Sequence, residues 1–139
     1  MTTIITEAET AFLQAPRLAM FSTAVGAAWS RPVPVWYDWN GSIVTVFSFH
    51  SAPKVARLRA DPRAHVLVAN HPQEAEHWVS ISGAVEITTV DPAWLESVSA
   101  RYWDLSDPEK AKVVASWVAV IDQMVALELT PAEVHRYGF

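Results

Sequence analysis

Residues 48–63 read SFHSAPKVARLRADPR and gather Lys54, Arg57, Arg59 and Arg63 inside ten residues. The whole chain carries fifteen Asp and Glu against ten Lys and Arg, so a scarce charge is concentrated here. Ser51 is suited to cap a short helix, with Ala52 and Pro53 in its first turn and Lys54 close behind. A first turn presents unpaired N–H groups and positive dipole charge, which attract anions and repel cations. Arg59 and Arg63 sit toward the far end, where positive charge suits the dipole. Lys54 works against it unless an anion shares the site. A phosphate there would satisfy Lys54, with the Ser48 and Ser51 hydroxyls and the His50 ring as further donors. The same residues also read as a solvated basic face, with Arg57 and Asp61 as an i,i+4 pair. Both readings stand at this point.

Other chemistry is poorly supplied. There is no cysteine, which excludes disulfides and thiolate metal sites. His65 and His71 share one face of a strand but lie about 20 Å apart along it. They cannot chelate one ion, and HPQEAEH (71–77) reads as a solvated acidic loop. His50 beside Ser51 lacks a third member for a triad. No paired carboxylates and no nucleophile–base pair are recognisable, so no catalytic side chain and no metal ligand is nominated. Trp36, Trp39 and Trp78 on neighbouring strands are placed to wall a flat ring system, or equally to pack a core or a dimer interface.

The elements that must position these residues are well punctuated. TEAETAFLQAP opens with Thr6 and Glu9 at capping-box spacing, and Pro16 closes a short helix. RLAMFSTAV reads as a strand. VPVWYDW, the turn pair Asn40–Gly41 and SIVTVFSF predict a β-hairpin on a two-residue turn, with Pro34 at an edge or bulge. AHVLVANH and HWVSISGAVEITT follow the basic helix as strands. In the second, Val79, Ile81, Val85 and Ile87 share one face while Ser80, Ser82 and Glu86 share the other. DPAWLESVSARYW and SDPEKAKVVASWVAV predict two helices, the second with a Ser106–Glu109 capping box, and MVALELTP a last strand. The expected architecture is mainly β and antiparallel, one domain over residues 1–139, a small barrel with peripheral helices. A length of 139 residues is enough to bury a full core.

Composition limits the partners. A net charge of −5 argues against general binding to nucleic acid or anionic lipid. No apolar run reaches membrane-span length, and MTTIITEAET lacks the pattern of a secretion signal, so a cytoplasmic protein is expected. Seven Trp suggest stacking surfaces or a large aromatic interface, and hence a two-fold dimer with Trp36 and Trp39 on its face.

RPVPVWYDWNGSIVTVFSFHSAPKVARLRADPR, followed by HWVSISGAVEI, resembles the pyridoxamine 5′-phosphate oxidase-like superfamily of FMN-binding split barrels. The likeness is to the small actinobacterial branch that includes deazaflavin-dependent reductases. It rests on Pro34, Val35, Trp36, Asn40, Gly41, Ser48, Lys54, Leu58, Asp61, Pro62, Arg63 and Gly83, and covers about residues 10 to 90. It implies a split barrel, a homodimer with cofactor sites between subunits, and a cofactor phosphate held by the strand-to-helix segment. Together with the local reading, the candidate cofactor-binding residues are Trp36, Ser48, His50, Ser51, Lys54, Arg57 and Trp78. Where the family usually has arginine, this chain has His50 and Ala56, and Arg57 replaces an asparagine. Part of the phosphate clamp is therefore missing or rebuilt, with Arg57 or His50 as substitutes, and reduced cofactor affinity is expected. The implied activity is oxidoreduction through FMN. A deazaflavin (coenzyme F-420) reductase is the nearest alternative, and a non-catalytic flavin- or haem-binding dimer is another. His135 and Arg136 are adjacent and point to opposite faces of a strand, which weakens a vitamin-oxidase assignment.

Overall fold

The computed structural model describes residues 4–139; Met1–Thr3, part of the amino-terminal stretch considered above, lie outside it. Seven strands form a single antiparallel sheet: β1 (Ala19–Thr23), β2 (Val33–Val35), β3 (Asp38–Trp39), β4 (Val44–Phe49), β5 (Arg63–Ala69), β6 (Trp78–Thr88) and β7 (Met124–Tyr137). Four helices accompany it: α1 (Glu7–Gln14), α2 (Pro53–Ala60), α3 (Pro92–Tyr102) and α4 (Pro108–Ala119).

The strand order is β2-β1-β5-β6-β7-β4-β3. The two edge strands, β2 and β3, are thus separated in the chain by Trp36 and Tyr37 alone. So short a link forces the sheet to curl until its edges nearly meet, which is a split barrel. The expected long hairpin is accordingly divided. Its first half pairs with β1, through Met20 opposite Pro34, and only Asp38–Trp39 pairs with β4. Pro34 lies on an edge strand, where its missing donor does least harm. The turn is also shifted by one residue: Asn40 pairs with Ile43, so Gly41 and Ser42 form the tip, with Gly41 at φ +97. The Asn40 side chain accepts from the N–H groups of Ser42 and Ile43 and holds that tip.

Alternation fills the barrel. Val66 and Val68 of β5, Val79, Ile81 and Val85 of β6, and Leu127 and Leu129 of β7 are buried with Phe21, Tyr37 and Phe12. Each large apolar side chain removed from water contributes about 1.5–3 kcal/mol. A second cluster lies outside the barrel under α3 and α4, with Leu95, Val98 and Met124 at its centre. β7 is longer than the eight residues expected of it, because it continues past Pro131 through a bulge. Gly83 pairs with Pro131 and Ser82 with Glu133, leaving Ala132 unmatched. A Cβ on Gly83 would fall onto the Thr130 carbonyl oxygen, which is why the crossing requires glycine.

Two caps differ from expectation. The Thr6–Glu9 capping box forms, but α4 is capped by Asp107, while Ser106 donates to Asp104 instead. α2 is capped by Ala52 with no side-chain bond, so Ser51 stays one residue outside the helix. Pro53 then occupies the first helical position, where a missing N–H costs nothing.

Candidate functional site

The site is built by α2 leaning on the end of β1. Val55 and Leu58 are fully buried and lock the helix into the barrel core. Lys54 and Arg57 have the same i,i+3 spacing, so they share the adjacent face. Both line a cavity of about 290 Å³ together with Phe21, Ser22, Thr23, Arg31 and Val33. Arg59 and Ala56, on the opposite side of the helix, are exposed.

Two groups in this cavity are out of balance. Lys54 is half-buried and makes no hydrogen bond or ion pair among the described residues. Loss of hydration with no anion beside it pulls its pKa below the ordinary lysine value. Thr23 Oγ1 is fully enclosed and also lacks a hydrogen-bond partner. A buried hydroxyl left unpaired costs about 1–3 kcal/mol. Arg31 and Arg57 likewise make no side-chain hydrogen bond among the described residues. Three unpaired cations around one cavity could together hold an anion such as phosphate, since arginine and lysine donors can reach several oxygens at once.

Through Ser22 and Thr23 the cavity meets a smaller opening of about 280 Å³ on the sheet, bordered by Arg63, His65 and Ser82. His65 Nε2 lies 2.6 Å from Ser80 Oγ. Burial, then the nearby His135, lowers the His65 pKa, which favours the neutral ring.

The sequence-derived residues divide into those at this cavity and those elsewhere. Lys54 and Arg57 come together. Ser48 faces the barrel core with its hydroxyl donating to the Phe49 carbonyl, and His50 and Ser51 are exposed on the turn; none of the three is among the cavity's lining residues. Trp36 stacks on Tyr102 at 5.0 Å and meets Trp103 edge-on at 4.9 Å, covered by α3 and its C-terminal flank. Trp78 stacks on Tyr137 at 6.2 Å, on the outer sheet face. Trp39 is 4% exposed and donates from Nε1 to Thr10. Trp39 is therefore packed inside the chain and offers no face to a second subunit, contrary to the sequence reading, while Trp36 stays half-buried against α3. Asp61 pairs with Arg63, Nη2 to Oδ2 2.7 Å, rather than with Arg57, which frees Arg57 for the cavity. His71 lies beyond β5 and contacts Glu74, and no cluster suited to a metal occurs among the described residues. Arg136 turns inward to Glu9 while His135 is exposed, as adjacent strand positions require.

Sequence reasoning missed Ser22, Thr23 and Arg31. Thr23 has an ordinary strand sequence around it, and only the packing makes its hydroxyl an orphan. Arg31 lies in the connection between β1 and β2, far in sequence from the basic helix.

A family model described as pyridoxamine 5′-phosphate oxidase matches residues 5–137. No curated protein matches the chain. Among solved structures, one named as an F-420 reductase is similar with a TM-score of 0.74 at 20% identity, covering 94% of this chain and 98% of that one. A conserved hypothetical protein from Mycobacterium tuberculosis gives 0.73 at 21% identity, covering 96% and 85%. A FAD-binding protein from Mesorhizobium loti gives 0.63 at 20%, covering 94% and 93%. These likenesses show a shared fold, and the matched family model spans all seven strands: the chain belongs to the pyridoxamine 5′-phosphate oxidase family.

Proposed function

We propose that this protein holds a flavin-type cofactor by its phosphate in the Lys54 cavity and works as an oxidoreductase on a small molecule. The observation that carries the reading is a half-buried, unpartnered Lys54 in one cavity with Arg57 and Arg31, neither of which makes a side-chain hydrogen bond among the described residues. Lys54, Arg57 and Arg31 would neutralise the phosphate, with Ser22 and Thr23 on the cavity wall. Arg57 and Arg31 take the place of the family arginines absent at positions 50 and 56. The bound ring supplies the hydride chemistry. The chain's own part is to bind, to orient and to exclude water, with neutral His65 and Ser82 beside the sheet-side opening. FMN is the first expectation. A deazaflavin is the second, favoured by the near full-length structural similarity to a protein named as an F-420 reductase.

A homodimer fits this reading. One sheet face presents Met20, Leu67 and Pro34 in register, beside Ala69, Trp78 and Tyr137 in the next row, with Leu18 54% and Tyr137 52% exposed. An exposed apolar strip across five strands suits a second copy. Among the described residues no helix is long and apolar enough to cross a membrane.

Titration of the purified protein with FMN and with deazaflavin, followed by absorbance and fluorescence, tests the reading. Saturable binding that weakens in Lys54→Ala is expected. Equal binding by the wild type and Lys54→Ala would sink it.

A further inference from the structure

The phosphate cavity does not end at Arg31 and Arg57. Both arginines also line a larger cavity, about 610 Å³, formed by the β1–β2 connection and the outer end of α2. Its remaining walls are small where they face inward, at Ala24, Gly26, Ala28 and Ala60. Gly26 has φ +60, a backbone conformation that glycine adopts without strain. Asp61 also borders it, but its carboxylate is taken up by Arg63 and does not neutralise Arg57. At the edge stands Trp29, 91% exposed and without a ring contact to any described residue. It is not part of the apolar sheet face, because Leu18 and Trp29 lie beyond opposite ends of β1.

An unpaired guanidinium pair, a floor of small residues and a bare indole are three complementary recognition elements. The guanidiniums suit a second anionic group placed directly after the first. The small residues leave a slot for something flat, and the indole offers a face on which a purine can stack. We propose that this cavity is an adenylate subsite, which takes the second phosphate and the purine of a dinucleotide flavin such as FAD. Arg31 and Arg57, which line both cavities, then reach oxygens of both phosphates, and Trp29 covers the purine. This rests on the phosphate reading of the Lys54 cavity and extends it: the preferred cofactor is the dinucleotide.

The test compares FMN, FAD and AMP on the full chain. Stacking and the second phosphate should make FAD bind roughly 10- to 100-fold more tightly than FMN. Trp29→Ala, at a position with no packing to lose, should bring the two flavins to within about 3-fold of each other while leaving FMN affinity unchanged. AMP should bind the FMN-saturated protein and cease to do so in Trp29→Ala. Equal affinity for FMN and FAD in the wild type would overturn the subsite and leave the phosphate reading intact. So would a Trp29→Ala variant that keeps the full preference for FAD. If neither flavin bound, the phosphate reading would fall, and absence of AMP binding would then remove this cavity as well.

Discussion

The arginines that close the barrel and the cations around α2 are treated in opposite ways. Arg17 donates to both oxygens of Glu74, at 2.6 and 3.1 Å, and to the Phe12 carbonyl, and its guanidinium lies 4.0 Å over the Phe12 ring. Arg101 reaches the carbonyls of Tyr37 and Gln14 at 2.7 and 2.8 Å. Arg136 binds the fully buried Glu9 and the Ile4 carbonyl. Each ties together segments distant in the chain. Arg31, Lys54 and Arg57 tie nothing, although two of them are half-buried. A cation that has lost water and gained no partner lowers stability, so its retention points to a partner from outside the chain. The difference separates charge that builds the fold from charge held ready for a ligand.

The largest effect should come from the structural side. Arg136→Ala leaves the Glu9 carboxylate enclosed without its cation. Burial raises the Glu9 pKa, but hydrogen bonds from Arg136 and Thr6 more than offset this, and the net shift is downward. Breaking such a pair costs about 3–5 kcal/mol. Urea denaturation should show that loss, and FMN affinity of the remaining folded protein should stay within about 2-fold. A variant with normal stability and weak FMN binding would reverse the assignment of roles.

Next is Lys54→Ala, where stability and affinity should move in opposite directions. Removing a hydrogen bond to a charged group costs about 1.5–3 kcal/mol, so FMN affinity should fall roughly 10- to 100-fold. Stability without ligand should rise by about 0.3–1 kcal/mol, since a cation leaves the positive end of α2. Calorimetry of both proteins with and without FMN gives both numbers. A loss of stability would mean that Lys54 has a structural partner.

How far this division was legible in the sequence depends on the range of the forces involved. Local signals were read well: the Thr6–Glu9 cap and the alternation of β6 both report neighbours within a few residues. The split at Trp36–Tyr37 was not, because alternation continues through it and only the partner strand changes. β2 needs β1, which precedes it by ten residues, and β3 needs β4. Lys54 could be singled out by its clash with the helix dipole. Thr23 could not, since an orphaned hydroxyl is defined by what surrounds it in three dimensions. Ser51 was misplaced by one position as a cap, because Pro53 fixes the helix start more firmly than a hydroxyl does. The aromatic count suggested an open interface, whereas Trp39 is buried in the barrel core and Trp36 packs, half-buried, against Tyr102 and Trp103.

Arg63→Ala is the control for these two variants. Its side chain is 76% exposed and pairs only with Asp61 across two residues. Exposed pairs of this kind contribute little. Both the unfolding midpoint and FMN affinity should remain nearly unchanged. An affinity loss equal to that of Lys54→Ala would show that the basic stretch acts as a diffuse field and not through one cavity.

The last prediction concerns His65, which borders the sheet-side opening. Across it stand Ser22 on β1, Ser80 and Ser82 on β6, and His135 and Glu133 on β7, with Arg63 further along its own strand. Burial, then His135, lowers its pKa from the ordinary value of 6.5. The unfolded chain therefore takes up a proton that the folded chain resists, and the sign follows from linkage. The neutral ring's contribution is complete above about pH 6.5. It falls as pH drops through that value and levels off once the pH is below the folded pKa. His65→Gln should flatten the stability profile between pH 7 and 5, and His135→Gln should flatten it partly by relieving the repulsion. Turnover of the cofactor-loaded protein should survive His65→Gln, because no side chain here is placed as an essential acid. If turnover at saturating cofactor disappeared while the stability profile stayed unchanged, His65 would be a proton donor to the reaction and not a passive neighbour of the sheet-side opening.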